Sequence, residues 1–169
     1  NARRIQRANL DGSGVQAVLN NVSSFAIGVD GVGGKIYWAD FSAQKIRRAN
    51  FDGSGIQDVV SNVFSFGIAI EVPGGKVYWT EYLTHRVRRA NLDGSGGEQS
   101  LVTSGLATPH GIAVDAAQGK IYWVDSTLKK VFRANLDGSS IEQISTPSLQ
   151  SPTVIALDSS SRVVDGDMN

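Results

Sequence analysis

The 169-residue chain contains no cysteine, and this absence excludes several kinds of chemistry at once. A chain without thiols can form no disulfide, no thiolate nucleophile and no zinc–thiolate site. Histidine is almost as scarce, because His85 and His110 are the only two and they form no His-x-x-His motif. Zinc binding through histidines is therefore not predicted either, and we expect no metal and no other cofactor.

Net charge and long apolar runs are also missing. The 16 basic and 16 acidic side chains cancel, so no excess charge would attract a nucleic acid or an anionic membrane surface. No apolar run reaches the length of about 18 residues that a membrane-spanning helix needs. We expect neither a nucleic-acid partner nor insertion into a membrane.

The common catalytic motifs are absent as well. The sequence contains no Gly-x-Ser-x-Gly elbow, which would present a serine nucleophile, and no Walker-type glycine loop, which would hold phosphates. We therefore predict no catalytic residues, and we do not expect an enzyme.

Two short phrases recur along the chain. The first is a Lys-Ile/Val-Tyr-Trp-x-acid phrase, found at Lys35–Asp40, Lys76–Glu81 and Lys120–Asp125. The second is Ile/Val-x-Arg-Ala-Asn-Leu/Phe-Asp-Gly-Ser, which begins at Ile5, Ile46, Val87 and Val131. Successive tryptophans are 41 and 44 residues apart (38 to 79 to 123). A fixed period of this length is typical of a repeat architecture.

Within each repeat the apolar runs have the length and composition of strands. They are short, rich in β-branched and aromatic residues, and separated by glycine pairs or by Asp-Gly, which favours a hairpin turn. Each repeat therefore predicts four antiparallel strands, called A to D here, and almost no helix is expected. Four-stranded units at this spacing are typical of the blades of a β-propeller.

The phase of the outer strands predicts how the propeller closes. The chain begins in a C strand at 4–10 and ends with an A strand at 153–158 and a weak B strand at 162–164. We expect one all-β propeller domain, residues 1–169, with four blades closed by a two-plus-two strand seam between the termini. A monomeric ring is preferred over two chains paired seam to seam in an eight-bladed ring.

Together with Pro109-His-Gly-Ile-Ala-Val-Asp115, the two phrases resemble the YWTD repeat. This is the class B repeat of the low-density lipoprotein receptor family and of nidogen. The resemblance implies a non-catalytic propeller that binds partners, and it implies an extracellular, secreted location. The chain departs from the family in two respects, because family propellers have six blades and are usually flanked by disulfide-rich modules.

Framework residues are predicted to have structural roles. The Tyr-Trp pairs are expected to pack between blades rather than to stack on sugars or bases. The Asp of each Asp-Gly-Ser phrase is expected to form a turn rather than to bind calcium. Ion pairs between blades are also expected. They would join the acid at the end of each B strand to the arginine that precedes Ala-Asn in the second motif: Asp40, Glu81 and Asp125 with Arg7, Arg48, Arg89 and Arg133.

The D–A and B–C loops vary between repeats and emerge on one face of an up-and-down blade. In the family that the chain resembles, protein ligands dock on this face. The predicted ligand-binding face consists of Phe25, Phe41, Phe64, Phe66, Tyr82, Leu83, His85, His110, Leu128 and Lys129. Alternatively, Phe25 and Phe66 turn inward and plug the central channel.

Two functions remain open from the sequence. The preferred one is a binding module for a protein or peptide, because the loops differ from blade to blade. The alternative is a multivalent lectin with equivalent pockets in each repeat, because the Asn-Leu-Asp-Gly-Ser turns on the opposite face do repeat.

Overall fold

The computed structural model describes residues 3–144, 149–158 and 163–167. These residues form sixteen β-strands and no helix, so the described part of the chain has no helix that could cross a membrane. The strands are β1 Arg4–Arg7, β2 Gln16–Asn20, β3 Ser24–Asp30, β4 Lys35–Asp40, β5 Lys45–Asn50, β6 Gln57–Ser61, β7 Ser65–Glu71, β8 Lys76–Glu81, β9 Arg86–Asn91, β10 Gln99–Val102, β11 Pro109–Asp115, β12 Lys120–Asp125, β13 Lys130–Asn135, β14 Glu142–Gln143, β15 Pro152–Leu157 and β16 Val163–Asp167.

The strands pair as the repeats predict. Three four-stranded antiparallel sheets follow chain order and are called blade 2 (β3–β6), blade 3 (β7–β10) and blade 4 (β11–β14). Two further sheets have two strands each, the first half-blade (β1–β2) and the last half-blade (β15–β16). The predicted all-β propeller architecture is confirmed, with strands A to D of every complete blade in the expected order.

Small residues let the inner A strands approach each other closely. β3 packs against β7, β7 against β11, and β11 against β15. A side chain at Gly111 would place its Cβ only 2.9 Å from the carbonyl oxygen of Thr153, and one at Gly67 would overlap the carbonyl oxygen of His110. Glycine at these positions therefore sets the short distance between blades on the inside of the propeller.

The Tyr-Trp pairs pack between neighbouring blades, as predicted. Adjacent residues of a strand point to opposite faces of the sheet. Trp79 accordingly packs against Ile46 and Val60 of the preceding blade, whereas Tyr78 packs in one cluster with Trp123 of the following blade. All three tryptophans are fully buried, so they are framework residues and not sugar-binding platforms.

The predicted ion pairs between blades were wrong in their partners. Glu81 pairs with Arg88 of its own blade at 2.9 Å, and Asp40 lies 3.5 Å from Arg47. Arg89 instead crosses the blade interface and donates a hydrogen bond to the carbonyl oxygen of Leu136 at 2.9 Å. Arg48 makes the equivalent bond to Leu92, while Arg7 bonds Gln16 and Arg133 pairs with Glu142 within their own sheets.

Strand alternation explains this error. Arg88 lies opposite Trp79 in the β8–β9 ladder, and Glu81 is two residues from Trp79, so all three side chains share one face. Arg89 lies opposite Tyr78 and points to the other face. The acid can therefore reach only the first arginine of the Arg-Arg pair.

Among the described strands, β1 and β16 do not pair with each other, so the structure does not show the predicted closing seam. The register of β15 with β16, in which Pro152 is opposite Asp167, matches that of Pro109 with Asp125 in blade 4, so both terminal pairs have the expected strand type. β1 nevertheless pairs with β2 and β16 with β15, in two separate sheets. The inner strands approach closely at Gly67 and Gly111, whereas the large Tyr and Trp side chains fill the interfaces farther out.

Replacing one buried tryptophan by alanine tests this packing. Trp79→Ala should lower the free energy of unfolding by about 3–5 kcal/mol, because it leaves a large cavity between blades 2 and 3. Denaturant titration would measure the change, with the exposed Tyr82→Ala as the control. A Trp79→Ala protein as stable as the parent would contradict the framework role.

The two arginines of one pair should differ in their effects. Arg88→Met removes the cation that pairs with the buried carboxylate of Glu81, which keeps only the neutral donors of Trp79 and Thr84, and should cost about 2–3 kcal/mol. Arg89→Met removes hydrogen bonds to neutral oxygens and should cost about 1 kcal/mol. Equal losses of stability in the same denaturation assay would show that the assignment of partners is incorrect.

Candidate binding face

The loop face is built from two sets of connections. The B–C turns comprise residues 41–44, 82–85 and 126–129. Each ends on a residue in the left-handed region, with φ of 55° at Gln44, 52° at His85 and 56° at Lys129. The D–A connections lead into β3, β7 and β11, whose second residues are Phe25, Phe66 and His110.

Six of the ten predicted face residues form one continuous aromatic cluster. Phe66 is at its centre, with ring centroids 4.9 Å from Phe25, 5.3 Å from Tyr82 and 4.9 Å from His110, on which it stacks at 7°. Phe41 contacts Phe25 at 5.3 Å and Phe64 at 5.7 Å. The cluster thus joins residues of blades 2, 3 and 4, although they are up to 85 positions apart in the sequence.

Part of the aromatic cluster is open to solvent. Phe25, Phe41 and Tyr82 are exposed, whereas Phe64, Phe66 and His110 are half-buried beneath or beside them. Contiguous exposed aromatic groups on a soluble domain usually mark an interaction site. Their mutual packing also holds the exposed rings in place before any partner arrives.

The central channel opens beneath this cluster. A cavity of about 260 Å³ is lined by the inner strands of all three complete blades and of the last half-blade. Phe25 and Phe66 are among its lining residues. They therefore lie at the mouth of this cavity, and Phe25 also faces solvent.

The other four predicted residues lie outside the aromatic cluster. Leu83 and His85 are exposed in the B–C turn of blade 3, and Leu128 and Lys129 are exposed in that of blade 4. Leu83 and His85 share their turn with Tyr82 of the cluster, whereas the turn of Leu128 and Lys129 contributes no ring to it.

Asp125 organises the loops of blade 4, a role that the sequence analysis missed. Its carboxylate accepts hydrogen bonds from the backbone N–H groups of Ala107 at 2.7 Å, Thr108 at 3.1 Å and Leu128 at 3.0 Å. The D–A loop and the B–C turn of this blade are thereby tied together. The sequence did contain a signal for this role. Phe132 occupies the position that Arg47 and Arg88 hold in the other blades, and its ring stacks on Trp123 with centroids 5.6 Å apart. Asp125 therefore has no arginine of its own blade to pair with at that position.

His110 is the titratable group of the aromatic cluster. Burial lowers the pKa of its imidazole, and the negative charge of Asp125 only partly opposes this effect. The stacked imidazole therefore remains neutral to a lower pH than an ordinary histidine does.

The opposite face carries the Asp-Gly-Ser turns and a polar cleft. Asp52 accepts hydrogen bonds from both the N–H and the hydroxyl of Ser54, and these bonds lower the pKa of the carboxyl. The predicted turn role is confirmed. Between blades 2 and 3 lies a cleft of about 440 Å³ whose polar lining includes Asp30, Lys35, Tyr37, Arg48, Asn91 and Asp93.

Among the described residues, no group of three His, Asp or Glu side chains is placed so that it could hold a metal ion.

Comparison with known proteins decides the family. The model of the low-density lipoprotein receptor repeat class B matches residues 75–116 and 119–159. Each match runs from the turn before a B strand, through its Tyr-Trp pair, to the A strand of the next blade. The chain belongs to the YWTD repeat family. A search of curated proteins found no match.

Solved structures support the same assignment. The YWTD propeller superposes on a nidogen chain from a nidogen/laminin complex with a TM-score of 0.89 and 25% sequence identity, over 97% of its own length and 66% of the nidogen chain. A virginiamycin B lyase from Staphylococcus aureus (TM-score 0.72, 19% identity) is covered to 55%, with 96% of this chain aligned. A hydrazine synthase from Kuenenia stuttgartiensis (TM-score 0.70, 13% identity) is covered to 41%, with 84% aligned.

These two enzymes share only the fold with the YWTD propeller. The chain spans about two thirds of the nidogen chain and roughly half of each enzyme.

The lowered pKa of His110 predicts a pH dependence of stability. The unfolded chain binds a proton at the ordinary pKa of about 6.5, whereas the folded chain does so only at lower pH. Stability should therefore fall as the pH drops below about 6.5 towards the folded pKa. His110→Phe keeps an aromatic ring and should remove this loss, as measured by melting temperature against pH.

His85→Gln is the matched control, because it removes the other imidazole from the same face. An unchanged pH profile for His110→Phe would show that the stack does not control the titration.

Proposed function

We propose that this YWTD propeller is a non-catalytic module that binds a protein or peptide partner on its loop face, outside the cell. The observation that supports this function most directly is the aromatic cluster, which joins three blades into one partly exposed surface. No other described surface combines aromatic groups from as many repeats.

The cluster has the composition of a binding site for a protein. Aromatic side chains contribute a large contact area at a low cost in conformational entropy, and they are enriched among the residues that dominate interface energies. Polar groups border the rings, because His85 and Lys129 are exposed in the adjacent turns. An apolar centre with a polar rim is typical of protein interfaces.

The nidogen chain supports a protein partner, since it was solved in a complex with laminin. Laminin is therefore the first candidate to test. The family relationship also supports an extracellular location.

Two substitutions on the loop face should separate binding from folding. Phe41→Ser with Tyr82→Ser removes two exposed rings and should weaken partner binding by about tenfold or more, with little change in melting temperature. Val32→Ser is the matched control, because Val32 is an exposed apolar residue in an A–B turn on the opposite face. The measurements are binding of laminin by surface plasmon resonance and capture of proteins from an extracellular-matrix extract.

The expected result is that parent and Val32→Ser capture the same proteins and that the double variant loses them. If the double variant captures the same set as the parent, the aromatic cluster is not the binding site.

The polar cleft favours a second candidate function, recognition of a carbohydrate. It has two positive and two negative side chains, Lys35 and Arg48 against Asp30 and Asp93. This balance suits a neutral hydroxyl-rich ligand better than an anion. The residue types recur between blades 3 and 4, where Arg89 crosses to Leu136 as Arg48 crosses to Leu92.

A glycan array with the same protein sample tests this candidate. Binding that is lost in Lys35→Met with Lys76→Met, but retained in Phe41→Ser with Tyr82→Ser, would establish a lectin. No glycan bound by the parent would exclude one.

A further inference from the structure

Asn21 begins an Asn-x-Ser triplet, the pattern that accepts N-linked glycans in secreted proteins. Asn21-Val22-Ser23 is the only Asn-x-Ser or Asn-x-Thr triplet in the sequence, and its middle residue is not proline, which would block modification. A triplet of this kind also arises by chance. Whether it can be modified therefore depends on how the fold presents the side chain of Asn21.

The side-chain amide of Asn21 is exposed and unpaired. Asn21 lies in the D–A connection between β2 and β3, and no other described residue forms a hydrogen bond with its side chain. The asparagine that precedes each Asp-Gly-Ser turn differs, because its side-chain amide donates a hydrogen bond to the serine hydroxyl, as Asn50 does to Ser54 at 2.9 Å. The amide nitrogen of Asn21 is therefore available for modification, whereas those of the turns are occupied.

The local backbone turns Asn21 outward. Its φ of 59° is in the left-handed region, which asparagine tolerates better than most residues. The next residue, Val22, faces inward and packs against the buried cluster that contains Leu19 and Trp38. The N–H of Val22 also donates a hydrogen bond to the carbonyl oxygen of Arg3 at 3.1 Å. The turn is thus anchored through Val22 and presents Asn21 to solvent.

Exposure at this position is a property of the turn. Asn62 occupies the same position in the D–A connection between blades 2 and 3, both of which are complete. Its φ of 60° is nearly the same, and it is also exposed, while the following Val63 is buried. A complete blade on either side therefore leaves the asparagine accessible. Asn62 lacks only the hydroxyl of the triplet, because Phe64 stands where Ser23 follows Asn21.

The triplet lies at the edge of the loop face. The chain passes here from β2, which has the outer position of a D strand, to the inner strand β3. Asn21 is therefore at the peripheral end of the connection and Phe25 at the central end. The carbonyl oxygen of Ser23 accepts a hydrogen bond from the N–H of Phe41 at 2.8 Å. This bond joins the triplet to an exposed residue of the aromatic cluster.

We propose that Asn21 is a site of N-linked glycosylation and that its glycan borders the aromatic cluster at the edge between the first half-blade and blade 2. In this reaction Nδ2 of Asn21 bonds to C1 of the first sugar of an oligosaccharide carried on a lipid diphosphate. The bond from that C1 to the diphosphate oxygen breaks, the lipid diphosphate leaves with the bonding electrons, and Nδ2 loses one proton to a base of the transferase. The proposal rests on the extracellular location that is part of the proposed function.

Secretion of the chain from animal cells behind an added signal peptide tests the site. Protein from the medium should exceed the chain mass of 18.0 kDa by one oligosaccharide. Peptide-N-glycosidase should remove this excess without denaturant, because the side chain is exposed, and should leave an aspartate at position 21 in the peptide map. Secreted protein of the chain mass alone would overturn the proposal. Because the signal peptide imposes the compartment, that failure would leave the proposed partner binding on the loop face unaffected.

Variants of the triplet show which residues are recognised. Asn21→Gln and Ser23→Ala should each lose the whole mass shift, whereas Ser23→Thr keeps a hydroxyl at the third position and should retain it. Ser24→Ala is the matched control, because the Ser24 hydroxyl lies outside the triplet and donates a hydrogen bond to the carbonyl oxygen of Ala26 at 2.8 Å. A glycan that persists in Ser23→Ala would be attached elsewhere and would refute the assignment.

The equivalent turn of the next blade tests accessibility. Phe64→Ser completes a triplet at Asn62, so this variant should gain a second oligosaccharide, whereas Phe64→Ala should gain none. Both variants lose the same aromatic ring, and their comparison therefore isolates the triplet. If Phe64→Ser is secreted as well as Phe64→Ala and gains no glycan, the turn does not present its asparagine to the transferase and the structural basis of the proposal is wrong.

Discussion

Alternation of side chains along the B strands is the constraint on which the structure depends. Because neighbouring residues point to opposite faces, each Tyr-Trp pair packs on two different blades at once. The interface is thick at these rings and thin at the inner glycines, so the blades splay outward from a common centre.

The binding face is a product of the same arrangement. The inner strands bring Phe25, Phe66 and His110 side by side at the mouth of the channel, although they belong to three repeats. The turns that follow the B strands then add Phe41 and Tyr82. A repeating framework thus supports a surface whose residues differ from blade to blade.

Much of this was predictable because the period of 41 to 44 residues and the hairpin signals define the strands independently of their surroundings. The fold class, the strand order and the grouping of the aromatic residues on one face follow from local patterns. The partners in the ion pairs could not be predicted from residue type alone. Arg88 and Arg89 are adjacent in the sequence, and only the face of the strand on which each lies decides which of them meets Glu81. The state of the seam was also out of reach, because pairing of β1 with β16 depends on the packing of all the blades that lie between them.

The backbone at the ends of the B–C turns is locally strained. Gln44, His85 and Lys129 all adopt left-handed backbone angles that glycine or asparagine would occupy with less strain. A chain shaped only for stability would use those residues, as it does at Gly34, Gly75 and Gly119 in the A–B turns on the opposite face. The side chains at these three positions therefore carry a cost in backbone strain that glycine would avoid.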